Sequence, residues 1–275
     1  TKEGYAVSGR QETLARISYQ KFFRRYLRLA GMTGTAREVT GELWSVYRRR
    51  VVRVPTNKPL RRVSEPDQVY ATSDAKWRAI VQRIRELHKE GRPVLIGTRS
   101  VAASEHISHL LTATMLPHQV LNARQDQEEA SIISHAGQRG RITVATNMAG
   151  RGTDIKLASG IAELGGLHVL ATERHEAGRI DRQLFGRSGR QGDPGSFQTI
   201  LSLDDELIRD LYGTRLDRLI TKRFAQGHAL PRWLGTPIVR IAQRIAEGHN
   251  SRIRRDLLKL DDNMGDMLAF SGRSE

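Results

Sequence analysis

Two stretches of the chain, TNMAGRGTD at 146–154 and QLFGRSGRQGDPG at 183–195, set arginines beside glycines that break the backbone into turns. Arg151, Arg187 and Arg190 occupy these stretches, and small neighbours such as Gly150 and Gly152 allow a ligand to come close to the main chain. A guanidinium suits a polyphosphate because its planar fork donates to oxygens in pairs and stays charged at any working pH. The loop that usually cradles such phosphates from a helix N-terminus, GxxxxGK[ST], does not occur in these 275 residues. The pattern is that of the arginine-bearing half of a split nucleotide site.

Each candidate also has a structural reading. Asp154 fits three roles: a hydrogen-bond partner for an arginine, a contact to a ribose hydroxyl, or a cap for the segment after Gly152. Arg151 fits a phosphate contact or an ion pair with Asp154 or Glu173. His168 lies within the apolar run LHVLAT and reads as a core residue, whereas His175 sits in a charged stretch that could face another domain. Asp204, Asp205 and Glu206 follow a strand pattern and open a helical one, so they read as cap and first-turn acids favoured by the helix dipole. The histidines show no metal-ligand spacing.

Residues 74–203 have the rhythm that would position such a site. The spacing predicts a helix from Asp74 to about His88, with Trp77, Ile80, Val81, Ile84 and Leu87 facing inward and Gly91 stopping it. Ser100 is the predicted cap of a second helix. Short apolar runs at 93–97, 118–123, 141–147, 167–172 and 197–203 predict strands, with further helices near 125–137 and 174–185. Alternation of this kind implies an α/β fold with a mostly parallel sheet covered on both faces. Ligands in such sheets lie beyond the C-terminal strand ends, which would favour Thr146–Asp154 and Glu173–Arg174.

The flanks read differently. Residues 12–30 carry apolar and aromatic side chains at helical intervals, and GMTGTA at 31–36 turns the chain. VVRVP at 51–55 predicts a short strand, and 56–66 an extended linker. From Pro237 onward, Ile238, Ile241, Ile245, Ile253, Leu257, Leu260, Met264 and Leu268 predict one long helix, or two nearly in line, weakened around Gly248 and Asn250.

Lysine and arginine total 45 against 30 acidic residues, a formal charge of +15 that points to an anionic partner such as a phosphate backbone, lipid headgroups or an acidic protein face. Aromatics are only 5% and show no stacking pattern for RNA. The absence of cysteine excludes disulfides and thiolate zinc sites and fits the cytosol. No apolar run is long enough to span a bilayer, so membrane contact would be peripheral. Thr1 in place of methionine suggests a start inside a longer product.

The segments TNMAGRGTDIKL at 146–157 and GGLHVLATERHEAGRIDRQLFGRSGRQGDPG at 165–195 closely resemble the SecA family of ATP-driven preprotein translocase motors. GMTGTA, VVRVPTNKP, GRPVLIGTRS and VLNARQDQEEA continue the likeness in order, and IAQRIAEGHNSRIRRDLLKLDDNM at 241–264 resembles the start of that family's scaffold helix. The resemblance implies a RecA-like domain of the superfamily 2 type over about 61–212. It implies a remnant of the first nucleotide-binding domain and a crossover linker at 1–60, and helical scaffold at 213–275.

By the same resemblance Arg187 and Arg190 act on the γ-phosphate of ATP, while Arg151 and Asp154, with Gly150 and Gly152, belong to the motif coupling nucleotide state to domain closure. ATP and Mg2+ are the implied ligands, with the metal's carboxylates coming from the missing half. Implied partners are preproteins, the membrane channel, anionic phospholipid, and a second copy or the complementary N-terminal half. Nucleic acid is not among them, and the implied place is the cytoplasmic face of the cell membrane. Phe185 stands where most members carry arginine. The sequence lacks the phosphate-loop lysine, the magnesium-organising carboxylates and the preprotein-binding insertion. It therefore reads as the arginine side of a motor inactive alone, or as a non-enzymatic module that docks on membrane, channel or an intact motor.

Overall fold

The computed structural model describes residues 17–121, 126–146, 153–210, 224 and 227–271. The chain divides into a larger unit, Arg53–Gly248, and a smaller one made of Thr1–Val52 and His249–Glu275.

The larger unit is built on strands β1 (Arg61–Ser64), β2 (Gln68–Tyr70), β3 (Val94–Thr98), β4 (Gln119–Leu121), β5 (Ile142–Thr146), β6 (Leu167–Ala171) and β7 (Pro194–Ser202). Their order is β1-β7-β6-β3-β5-β4, and β2 also pairs with β7. Every pairing among the described residues is parallel. A parallel sheet needs helical crossovers and cover on both faces, which is why β3 and β6 are buried along their whole length and are mostly apolar, with His168 the buried polar residue of β6. This is the α/β class with a mostly parallel, covered sheet expected from the sequence.

Helices α3 (Ser73–Lys89) and α4 (Val101–Ala113) line one face, where Trp77, Ile80, Val81, Ile84 and Leu87 pack with Ile107, Leu111, Ile96 and Val144. Thr72 caps α3, its hydroxyl accepting from the Ala75 amide at 3.3 Å, so the cap lies two residues before the expected Asp74. Ser100 caps α4 as expected, accepting from the Ala103 amide at 3.1 Å. On the other face Leu95, Ala145, Val169 and Ile133 of α5 (Asp126–His135) meet Leu184 and Phe185 of α6 (Gly178–Phe185) and Ile155.

Two sequence expectations fail at the start of this unit. VVRVP forms no strand, because its β-branched residues find no neighbour to complete a ladder and stay largely exposed. The expected linker instead contains β1, which pairs Arg61–Ser64 with Pro194–Phe197. The Glu65 amide adds a bond to the Phe197 carbonyl, and three residues further along β7 the segment β2 pairs with Ile200–Ser202.

Helix α7 runs from Arg232 to Ser271 without a break, starting before Pro237, which it contains. Its first turns pack Ile238, Val239 and Ala242 against Val69, Leu201 and Leu230 within the larger unit. In the smaller unit, α1 (Tyr19–Arg24) is shorter than the expected 12–30 helix, of which residues 12–16 lie outside the described residues. Its α2 (Thr40–Tyr47) is tied to α7 by a two-pronged ion pair, with Arg254 Nε and Nη2 at 2.8 and 2.9 Å from the Glu42 carboxylate. GMTGTA at 31–36 forms neither helix nor strand beyond the opening of a turn, held by Thr33 and Thr35 hydroxyls at 3.1 Å. No described helix is long and apolar enough to cross a membrane.

Candidate functional site

The arginine loop begins where α6 ends. Gly186 closes the helix by donating to the Arg182 carbonyl at 2.8 Å, and Arg187 and Ser188 continue the turn with bonds to Leu184 and Phe185. Gly189, Gln191 and Gly192 then take positive φ (64°, 54° and 84°), which reverses the chain into β7. The loop therefore lies at the N-terminal ends of the strands, where Gly195 pairs with Leu167 and Arg62 near the starts of β6 and β1. Thr146 and Glu173 lie at the opposite, C-terminal ends, so the usual rule for ligand placement does not locate these arginines.

Residues 153–158 bring Asp154 to the loop. Ile155 is buried against the α5–α6 face, and the Ala158 amide donates to the Gly137 carbonyl at 3.1 Å. Arg190 Nη1 donates to Asp154 Oδ1 at 2.8 Å, while its Nε donates to the Gly186 carbonyl at 2.8 Å. The two side chains remain 39% and 42% exposed, so the pair is open to solvent. Arg187 Nη1 donates to the Thr153 carbonyl at 3.1 Å. Arg187, Arg190 and Asp154 thus share one locality, and Asp154 makes the arginine contact that was one of its readings. Gly150, Arg151 and Gly152 lie outside the described residues.

Sequence reasoning missed Arg62. Its Nη1 donates to both the Phe185 and Ser188 carbonyls, at 3.1 and 3.2 Å, and its guanidinium lies 5.7 Å from the Phe197 ring centroid. Burial lowers its pKa, but a guanidinium stays charged. Phe197 stacks on Phe185 at 4.3 Å, and Arg174 covers Phe185 at 5.5 Å. The position expected to carry arginine is therefore an aromatic plug flanked by two cations.

The C-terminal strand edge is a packed ion network. Arg174 pairs with Asp67 at 2.6 Å and Asp181 at 3.3 Å. His175 is buried and its Nδ1 lies 2.7 Å from Asp181, whose other oxygen accepts from Gln243. Lys76 and Asp205 form a buried ion pair, and Asp205 also accepts from the Ser202 amide and hydroxyl. Asp204 accepts from the Ser73 amide at 2.6 Å, so it serves the start of α3. Burial raises the Glu173 carboxyl, with Lys76 opposing and Asp205 adding to the rise. His168 is fully buried as expected; burial, then Arg92 and Arg83, lower its pKa to about 3.

Chemically, the loop offers cationic forks to an anion: Arg190 can exchange an exposed carboxylate for phosphate oxygens at little desolvation cost. No group of three His, Cys, Asp or Glu able to hold a metal occurs among the described residues. The donor set fits phosphate oxygens, and a magnesium ion bound to that phosphate would need carboxylates from elsewhere.

The family model of the SecA P-loop domain matches residues 59–162 and 158–226, and that of the SecA DEAD-like domain matches residues 1–44. The chain is 50% identical over 274 residues to a protein translocase subunit SecA 2 of Nitrosospira multiformis, all of this chain against 41% of that protein. It is 52% identical over 277 residues to a SecA 3 of Magnetococcus marinus, again all of this chain, against 42% of that protein. A SecA of Nitratidesulfovibrio vulgaris is 49% identical over 264 residues, 96% of this chain and 31% of its own. The chain thus spans about two-fifths of the first two relatives and under a third of the last. Among solved structures, a chain from the crystal structure of the E. coli DEAD-box protein SrmB bound to regulator of ribonuclease activity A is similar at TM-score 0.42 and 20% identity, covering 52% of this chain and 81% of that one.

Proposed function

Since the chain belongs to the SecA family, we propose that it forms the arginine side of the ATP site in a protein translocase motor that couples ATP hydrolysis to preprotein export. The observation that carries this reading is the shared loop of Arg187 and Arg190, with Arg190 held by an exposed carboxylate that a phosphate can replace. In the assembled motor Arg190 leaves Asp154 for an oxygen of the γ-phosphoryl group, and Arg187 turns to a neighbouring oxygen. Charge developing there in the transition state is stabilised by a fixed cation in a site that excludes water.

Asp154, released from Arg190, then reports occupancy to the segment containing Gly150, Arg151 and Gly152, which couples it to closure of the two nucleotide-binding domains. Magnesium, when bound, would neutralise phosphate charge and orient the oxygens, through carboxylates of the other half. On this reading residues 1–60 end the first nucleotide-binding domain and carry the crossover, 61–212 form the second, and 213–275 begin the scaffold. The partners are preproteins, the protein-conducting channel and anionic phospholipid at the cytoplasmic face of the membrane, with a second copy or an N-terminal motor half completing the site.

The test mixes this chain with a SecA N-terminal half that carries the phosphate loop. ATP turnover is negligible for the chain alone and appears on mixing; Arg190→Ala then lowers kcat by about 10³-fold, the scale of an arginine finger. Two folded halves that associate without turnover would overturn the reading. The +15 charge favours a second reading, a module that docks on anionic membrane without nucleotide. Vesicle binding by the chain alone, unchanged by ATP and by Arg190→Ala, would establish it.

A further inference from the structure

Arg62 sits on β1, more than a hundred residues from the arginine loop in sequence, yet holds that loop at three points. Its Nη1 donates to the carbonyls of Phe185 and Ser188, which bracket Gly186 and Arg187. The Phe185 carbonyl is that of the last residue of α6 and the Ser188 carbonyl lies in the turn just beyond it, where main-chain acceptors run out of helical partners and the helix dipole favours a cation. Its side-chain stem lies against Gly189, where an added Cβ would come within 2.6 Å of Arg62 Cβ and 3.2 Å of its Cα. With φ at 64°, Gly189 is also in a conformation that other residues rarely adopt. The guanidinium plane finishes above Phe197, itself stacked on Phe185.

No carboxylate lies within ion-pair range of Arg62 among the described residues, in contrast to Arg83, Arg99, Arg174 and Arg190. Its donors are directed at main-chain oxygens of the loop, so its work is geometric. A lysine in its place would keep the charge but lose the planar fork and the aromatic contact.

We propose that Arg62 is the positioning residue of the phosphate-facing arginines: it locks the 185–189 turn so that Arg187 and Arg190 leave the backbone in fixed directions. The inference rests on the reading of that loop as one side of an ATP site. Small displacements of a group that acts in the transition state cost rate far more than binding, and a shift of about 1 Å can cost 100-fold.

The test uses the 275-residue chain carrying Arg62→Met or Arg62→Lys. In the chain alone, amide hydrogen exchange over 186–193 becomes about tenfold faster in both variants while exchange in β3 and β6 is unchanged, as expected for local release of one turn. In the assembly with the N-terminal motor half, kcat falls at least about tenfold while KM for ATP changes less than about twofold, the signature of an interaction expressed in the transition state. Arg187→Ala serves as the reference. If it lowers kcat and Arg62→Met does not, the positioning role is wrong and the ATP-site reading stands. If neither lowers kcat, the ATP-site reading is wrong, and unchanged exchange over 186–193 would then reject the positioning role as well. Should Arg62→Met not fold, Arg62→Lys carries the same two measurements, because it keeps stem and charge and loses the fork with its aromatic contact.

Discussion

Arg190 Nη1 and Asp154 Oδ1 meet at 2.8 Å across 36 residues of sequence, and neither side chain is buried. An ion pair this exposed contributes little to folding, about 0–1 kcal/mol. Asp154→Asn should therefore leave stability within about 1 kcal/mol of the parent, as read by urea unfolding. The same substitution removes the competitor for Arg190. It should tighten nucleotide binding in the assembled motor by a few-fold, about 1 kcal/mol by the same scale. Weaker binding in Asp154→Asn would show that the carboxylate aims the arginine at its ligand.

Lys76 and Asp205 are the opposite case, because both are buried and Asp205 also receives the Ser202 amide and hydroxyl. Removing one partner leaves an uncompensated charge away from water. Asp205→Ala should destabilise the chain by about 3–5 kcal/mol, measured by denaturant unfolding. Lys76→Met with Asp205 intact should cost a comparable amount, and the double replacement should cost less than the sum of the two.

His168 makes the larger unit sensitive to acid. Its folded pKa of about 3 lies below the ordinary value of 6.5, so the unfolded chain binds the proton that the folded chain refuses. Stability from this group is complete above 6.5 and falls as pH drops toward 3, with a slope near 1.4 kcal/mol per pH unit. The causes are burial first, then the charges of Arg92 and Arg83; Ser196 Oγ lies 2.7 Å from Nδ1 and Glu65 at 3.5 Å. In His168→Gln, which cannot titrate, unfolding free energy between pH 6 and 4 should lose about one such slope. An unchanged pH profile would assign the acid sensitivity to other groups.

Phe185 lies stacked between Phe197 and Arg174, with the guanidinium of Arg62 over the far ring. Arginine at this position would bring a third cation into an apolar layer that includes Leu184 and Ile155. Phe185→Arg should destabilise the chain by about 3 kcal/mol or more, whereas Phe185→Leu should cost about 1 kcal/mol. Thermal unfolding of the two variants decides it. A stable Phe185→Arg would mean that the loop can open to water on that side.

The strands that the sequence reveals best are the buried ones. The runs in β3, β5 and β6 are mostly apolar and buried on both faces because helices cover both, so composition separates them from turns. β1 was hidden for the converse reason: RRVS is short and mostly exposed at the sheet edge, and only pairing with Pro194–Phe197 makes it a strand. VVRVP has the better strand composition and lacks a neighbour to pair with. Arg187, Arg190 and Asp154 of the candidate site stand out in the sequence because glycine and arginine spacing is local. Arg62 does not, since contacts to main-chain carbonyls leave no mark in the side chains of their acceptors. The same holds for Lys76 with Asp205, which stand 129 positions apart and each taken singly passes for a surface charge.

β7 takes two successive partners from the start of its domain, first β1 and then β2. Deleting the chain up to Ser64 would strip the first half of that nine-residue strand and leave its amides and carbonyls unsatisfied at an open border. Such a border recruits strands from other molecules, so shortened versions of this domain should precipitate on expression while versions beginning at or before Arg53 stay monodisperse.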